Sequence, residues 1–284
     1  APSRNPLLVG EVWDTSPISS SYVPGSLDMT FDFTIASTYL SAAASGDGAN
    51  LDRILARVTT LYPTSGFGTF LTNHDMDRVA SQLGGDQEQL RLAASLLLTG
   101  PGVPFVYYGE EIGMTGAKPD ERIRTPMRWD ASEPAAGFSA HAPWEALSAD
   151  DPATTNVAAQ AADPGSLWST YRDLIGLRAK HPALSGGTYV PVTSDSPAVV
   201  AAIRSSPVET ALVIANVSDT PAGPALSLTA GPLCGAPKGT IALGADEGAS
   251  TAPGPSLTPA GGFTDYRPVA EIPARSVVII VLEP

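Results

Sequence analysis

The sequence predicts an α/β domain built on parallel strands, followed by an all-β antiparallel sandwich. Three observations predict it. In the first two thirds of the chain, short apolar runs that suit buried strands alternate with amphipathic helical stretches. From about residue 184 the helical periodicity gives way to short β-branched runs separated by Gly, Pro, Ser and Asp. The length of 284 residues, 43% of them hydrophobic, suits one large domain or two.

The elements follow in order. Leu7-Leu8-Val9 leads into Gly10-Glu11-Val12-Trp13-Asp14, a buried strand that ends in polar residues. Leu27 to Phe33 is the second strand. Asp52 to Leu61 reads as a helix, with Leu51, Ile54, Leu55 and Val58 on one face. Gly68 to Thr72 is a third strand, and it runs into Asn73-His74-Asp75. The next helix has Asp86 at its N-cap, Gln89 at the capping-box position and a stripe of Leu90, Ala93, Ala94 and Leu97. Gly100-Pro101 stops it. Val103 to Tyr108 is the fourth strand. A Pro-rich loop over 115–165 shows no core of its own, and loops of that length are usually functional. A last helix over Ser166 to Lys180 puts Leu167, Tyr171, Leu174 and Leu177 on one side and stops at His181-Pro182. The expected division is an α/β domain over 1–183 and a β-sandwich over 184–284, with strands at Tyr189–Val192, Ala198–Ile203, Ala211–Val217, Ile241–Leu243 and Val277–Leu282.

Charge narrows the function. Sixteen basic residues stand against 29 acidic ones, a net −13, so no basic stripe exists to hold nucleic acid or an anionic membrane. A neutral substrate is compatible. Cys234 is the sole cysteine, which excludes an internal disulfide. No apolar run reaches transmembrane length. The start, Ala1 to Pro6, carries neither an initiator Met nor the apolar core of a signal peptide. We therefore expect a chain that begins inside a longer product.

Chemistry in parallel α/β folds sits at the C-terminal ends of strands. Glu11 ends the first strand and Asp75 the third, 64 residues apart. A β/α unit of an eight-fold barrel takes roughly 30 residues, so two units separate them and both face one rim. Two carboxylates converging on one cleft suit glycosidic cleavage, where one protonates the leaving oxygen and another steadies an oxocarbenium-like centre. Taken singly, Glu11 suits a strand-end salt bridge and His74 loop packing equally well. Glu110 and Glu111 suggest a structural turn rather than a metal site, because no companion ligands cluster near them. Asn216-Val217-Ser218 matches a glycosylation sequon inside an expected strand.

Four segments carry a family resemblance. Leu8-Val9-Gly10-Glu11-Val12-Trp13-Asp14 resembles the strand-five motif of the α-amylase family, and Phe70-Leu71-Thr72-Asn73-His74-Asp75 its strand-seven motif. Pro104 to Met114 is similar to its strand eight and the turn that follows. Arg124-Thr125-Pro126-Met127-Arg128-Trp129-Asp130 resembles a loop of the α-glucosidase, oligo-1,6-glucosidase and trehalose-synthase-like branches, which commonly have Gln where this chain has Arg128.

The resemblance implies the C-terminal half of a (β/α)8 TIM barrel, strands five to eight, followed by the sandwich. It implies Glu11 as acid/base, Asp75 and His74 as transition-state contacts, and Asn73 as a neighbouring substrate contact. Arg78 and Arg124 are implied as substrate or carboxylate contacts, with surface ion pairs as the alternative. Trp13 and Tyr108 either stack on sugar rings or pack. The expected reaction is retaining hydrolysis of α-glucosidic bonds in starch-like glucans or malto-oligosaccharides. A transglycosylase, a sucrose- or trehalose-converting enzyme and a non-catalytic carbohydrate-binding subunit remain as alternatives. The family's nucleophilic Asp and its neighbouring Arg on strand four have no counterpart here, so the chain alone is expected to be inactive. Its expected partner is an N-terminal half of the barrel, or a second copy joined through open barrel edges. No cofactor or metal is expected in this chain, and calcium is left to the other half. A polymeric substrate implies an extracellular or periplasmic location.

Overall fold

The computed structural model describes residues 6–244 and 251–283. The reading of the N-terminal start rests on residues that, Pro6 apart, lie outside them. Four short strands, β1 (Val9–Gly10), β2 (Met29–Phe31), β3 (Phe67–Thr69) and β4 (Val103–Pro104), form a parallel sheet in chain order. The register pairs Val9 with Met29, Thr30 with Phe67 and Gly68 with Val103. Helix α1 (Ser16–Ser20) follows β1, α2 (Phe33–Ser45) and α3 (Gly48–Leu61) follow β2, and α4 (Val79–Gln82) and α5 (Gln87–Thr99) follow β3. After β4 come a single 3-10 turn at Glu110–Ile112, then α6 (Asp120–Ile123), α7 (Val157–Ala161), α8 (Leu167–Lys180) and α9 (Pro182–Gly186). Among the described residues, β1 and β4 are each bonded on one side only, so the sheet has two free edges.

Local chemistry explains the helix boundaries. Asp32, Asp47 and Asp86 each accept a backbone N–H of the turn they precede, from Ile35, Asn50 and both Glu88 and Gln89. Gly46 leaves α2 in the left-handed region at φ 75°, where a side chain is disfavoured. Helix α2 is absent from the sequence reading, which ran a strand up to Phe33. The reason is that Phe33, Ile35, Ala36, Thr38, Tyr39, Leu40, Ala42 and Ala43 are all buried, so nearly every face is covered and no stripe exists to read. The fourth strand is also shorter than expected: only Val103 and Pro104 of the apolar run join the ladder.

The C-terminal part is one curled antiparallel sheet. Its strands are β5 (Thr188–Ser194), β6 (Val199–Ser205), β7 (Thr210–Asn216), β8 (Leu226–Leu228), β9 (Lys238–Leu243), β10 (Thr251–Ala252), β11 (Phe263–Tyr266) and β12 (Ser276–Glu283). They run in the order β10-β9-β12-β7-β6-β5-β8-β11. Strand β5 pairs with β6 over Thr188–Val192 and with β8 over Thr193–Ser194, which folds the sheet back over its own core. Strands β6, β7 and β12 are apolar without alternation because both faces are covered. Val200, Val213, Ala215 and Ile279 pack on the helices, while Ile203, Leu212, Ile214 and Ile280 face β8 and β11. Asn216 of the sequon is fully buried and donates to the carbonyls of Thr220, Ile272 and Pro273, so it straps the sheet and cannot carry a glycan.

Two buried guanidinium groups join the parts. Arg204 of β6 donates to the carbonyls of Thr99 and Gly100 at the end of α5, and to Leu184, Gly187 and Thr188. Arg178 of α8 donates to Leu98, Gly100 and Gly102. The end of α5 leaves carbonyls without helical partners and carries the negative end of the dipole, and both features recruit cations. Burial pulls the Arg204 pKa down to about 10. Arg204→Ala is expected to cost at least about 3 kcal/mol, since several buried carbonyls lose their donor at once. Urea denaturation of both proteins measures the difference.

Candidate active site

The rim at the C-terminal ends of β1 and β3 collects the acidic groups. Glu11 follows β1 directly and is exposed. Six residues on from Thr69, the last residue of β3, Asp75 turns back toward it. Asn73 ties the two together. Its Oδ1 accepts the Asp75 backbone N–H at 2.9 Å, and its Nδ2 donates to Glu11 Oε1 at 3.2 Å. The backbone donor fixes which end of the amide is oxygen, so the nitrogen must face Glu11. His74 Nε2 lies 3.3 Å from Asp75 Oδ2. One ligand-type atom each from Glu11, His74 and Asp75 falls within 4.8 Å of the others. Three such donors, one of them nitrogen, do not fit calcium, which takes six to eight oxygens.

Arg124 holds the pair from outside. Its Nε donates to the His74 carbonyl at 2.8 Å and its Nη2 to Asp75 Oδ1 at 2.6 Å. The same Nη2 reaches Asp120 Oδ2 at 2.8 Å, and Lys118 Nζ bonds the other Asp120 oxygen. The Lys118 bond, reinforced by Arg124, holds the Asp120 carboxyl below its usual range. Arg124 thus forms a half-exposed ion pair with the Asp75 and Asp120 carboxylates, and nothing in the spacing of Lys118 and Asp120 marks them as part of it.

Arg78 corrects the sequence reading. It is only 1% exposed, so it is neither a surface ion pair nor open to a substrate. It donates to the Tyr108 carbonyl at 2.7 Å and lies over the Tyr107 and Tyr108 rings, 4.9 and 4.7 Å from their centroids. Its work is to fix the chain after β4. Tyr108 keeps one ring face toward Arg78 and donates its hydroxyl to the Thr125 carbonyl. Trp13 stacks on Phe33 at 4.6 Å and 16° yet stays 59% exposed beside Glu11.

The cleft of about 310 Å³ is lined by Glu11, Asn73 and His74 above and by Phe31, Phe70 and Phe105 below. Phe31 packs edge to face on both Phe70 and Phe105, and Phe70 packs edge to face in turn on Phe33 at the start of α2. The turn after β4 is built on Glu110 and Glu111. Glu111 Oε2 accepts the Gly109 N–H, and buried Glu110 accepts from the Tyr171 hydroxyl at 3.0 Å. The expected structural turn is what the geometry has. The loop over 115–165 departs from expectation: Ile112, Met114 and Met127 form a small core with Val157 and Trp168. Its contributors lie up to 56 positions apart, which hides it from any local pattern.

Comparison with known proteins gives one family. The model of the α-amylase catalytic domain matches residues 1–187. The chain is 33% identical over 191 residues to "Alpha-amylase 3" of Dictyoglomus thermophilum, covering 63% of this chain and 36% of that protein. It is 32% identical over 191 residues to an oligo-1,6-glucosidase of Parageobacillus thermoglucosidasius, covering 53% of this chain and 34% of that one. The crystal structure of an α-amylase from H. orenii superposes with a TM-score of 0.72 at 28% identity, covering 98% of this chain and 53% of that one. The chain spans about a third of the length of these curated relatives and half of that structure.

Burial raises the Glu110 carboxyl from 4.5 to about 8. A carboxyl with a raised native pKa binds its proton more tightly when folded. The stability it contributes is full below about 4.5 and is lost as the pH climbs through about 8. Glu110→Gln keeps an acceptor for Tyr171 and removes the titration. Urea midpoints at about pH 5 and about pH 9 are expected to fall further apart in the parent than in the variant.

Proposed function

The chain belongs to the α-amylase family, and on that footing we propose that it supplies the acid/base and the sugar-binding carboxylate of a retaining hydrolase of α-glucosidic bonds. The single observation that carries this is the Glu11–Asn73–Asp75 linkage on one rim. Glu11 protonates the glycosidic oxygen and later takes the proton of the attacking water. Asn73 donates to Oε1, so in the acid form the proton sits on Oε2, the oxygen left to face the leaving group. Asp75 and His74 hydrogen-bond sugar hydroxyls, and they accelerate the reaction to the extent that these bonds tighten as the ring flattens toward the transition state.

The nucleophile is left to a segment outside these 284 residues. Two features support a barrel completed by further strands. Strands β1 and β4 keep free edges among the described residues, and Phe31, Phe70 and Phe105 line an open inner face that a closed barrel covers. Starch-like glucans and malto-oligosaccharides are the proposed substrates. Transfer to a sugar acceptor is the second reading, favoured by the Arg124–Asp130 segment that resembles the trehalose-synthase-like branch as well as the glucosidases.

Two substitutions test the roles in the completed enzyme. Glu11→Gln is expected to lower kcat on maltotriose by roughly 10²–10⁴-fold in a reducing-sugar assay, and unchanged activity removes Glu11 from the mechanism. Arg124→Ala is expected to leave the melting temperature nearly unchanged, because exposed ion pairs contribute about 0–1 kcal/mol. Its kcat is expected to fall by about 10²-fold, because Asp75 loses its outer support.

A further inference from the structure

We propose that Asp120, held in turn by Lys118, is a positioning residue for the reaction: it fixes the Arg124 guanidinium and, through it, the orientation of the Asp75 carboxylate. The inference rests on reading Glu11 and Asp75 as the acid/base and the sugar-binding carboxylate. It adds two residues that none of the four family-like segments contains.

The contacts close into a ring. Arg124 Nη2 donates to Asp75 Oδ1 at 2.6 Å and to Asp120 Oδ2 at 2.8 Å. Lys118 Nζ bonds Asp120 Oδ1, and the Lys118 backbone N–H donates to Asp77 Oδ1 at 2.7 Å. Asp77 lies two residues beyond Asp75, so the chain itself joins the two ends of the series. The charges alternate along it, from Asp75 through Arg124, Asp120 and Lys118 to Asp77. An exposed pair of this kind contributes little by itself. Closure gives the set its effect, because no member turns away without breaking a bond elsewhere in the ring.

The base of the ring is fixed by packing. The Arg78 N–H donates to the Gly116 carbonyl at 2.9 Å, and the Gly116 N–H donates to Ser81 Oγ at 2.8 Å. Gly116 sits so close to its neighbours that a Cβ there would lie 2.4 Å from the Arg122 carbonyl oxygen and 3.2 Å from the buried Arg78 side chain. The 116–118 stretch is therefore fastened along 77–81, and Asp120 starts from a settled place. Asp120 also stands four residues before Arg124, across the single turn of α6, a spacing at which opposite charges meet.

Asp120 does two things for Asp75. A long arginine side chain with one exposed anionic partner keeps much of its rotamer freedom, and a second carboxylate on the same nitrogen removes it. The shared nitrogen also divides its charge between two carboxylates, so Asp75 keeps more of its own for accepting sugar hydroxyls. The Lys118 bond holds the Asp120 carboxyl below its usual range, which keeps it ionised for this work.

The test is a double-mutant cycle on kcat for maltotriose in the completed enzyme, with Glu11→Gln as the inactive reference. Asp120→Asn is expected to lower kcat about tenfold, with KM held within about twofold and the melting curve unchanged. Asp120→Glu keeps the charge and is expected to recover most of the lost kcat. In an Arg124→Ala background Asp120→Asn is expected to cost nothing further, since the guanidinium it positions is gone. The 284-residue chain supplies a second readout. Of its three histidines, the one whose ring resonance His74→Gln removes is expected to shift in Asp120→Asn, because His74 Nε2 lies 3.3 Å from Asp75 Oδ2. The proposal is overturned if Asp120→Asn keeps the parent kcat while Glu11→Gln loses it, or if the tenfold loss persists without Arg124. It is also overturned if Asp120→Glu recovers nothing, if the loss falls on KM alone, or if the His74 resonance stays in place. Full activity in Glu11→Gln removes the reading of the site instead, and the His74 resonance then decides the positioning on its own.

Discussion

The structure depends on how the end of α5 is closed. Arg178 and Arg204 donate eight hydrogen bonds to backbone carbonyls around this point, and no carboxylate is among their partners. Burying charge is costly unless its hydrogen bonds are made, and here the helix end makes them. Three elements thereby meet at one place: α5, which follows the strand that leads to His74 and Asp75; α8, which packs on it; and β6, at the centre of the curled sheet. The apolar core obeys the same constraint. Leu51, Leu97 and Leu174 of the helices share one cluster with Val200, Val213 and Ile279 of the sheet. A sheet buried on both faces and a helix end capped by that sheet form a single packing problem.

On this platform the rim acquires its geometry from polar contacts that add little to stability. The residues of the Arg124–Asp75 pair are about 42% and 35% exposed, a setting in which ion pairs contribute weakly. Their value is positional. Arg124 approaches Asp75 from 49 residues downstream, and Asn73 approaches Glu11 from 62 residues downstream. Each carboxylate is therefore oriented by a group on another element. Arg78 plays the complementary part below the surface, where its buried guanidinium holds the chain that leaves β4.

The aromatic residues divide by location. Phe31, Phe70 and Phe105 line the cleft, where Phe31 packs edge to face on the other two, which suits the interior layer of a barrel. Trp129, Phe138 and Trp144 face outward along the 124–145 segment. The long loop that looked structureless carries both a small core and this open wall, with the core holding the wall in place.

The sequence by itself determined the fold class, the capped helix α5 and the span of α8, the placement of Glu11 and Asp75 in the segments that follow β1 and β3, and the family. These are read from spacing within a few residues, from N-caps such as Asp86, and from motifs that lie on single elements. Only the tertiary structure decided that α2 is a helix, since covering on all sides erases the periodicity that would announce it. The same holds for Arg78, placed against the faces of the Tyr107 and Tyr108 rings rather than in the cleft, for Arg124, turned onto Asp75, and for the loop core. Each of these depends on which residues meet across roughly 30 to 60 positions of chain. Such meetings are set by the packing of whole elements, and local sequence carries no record of them.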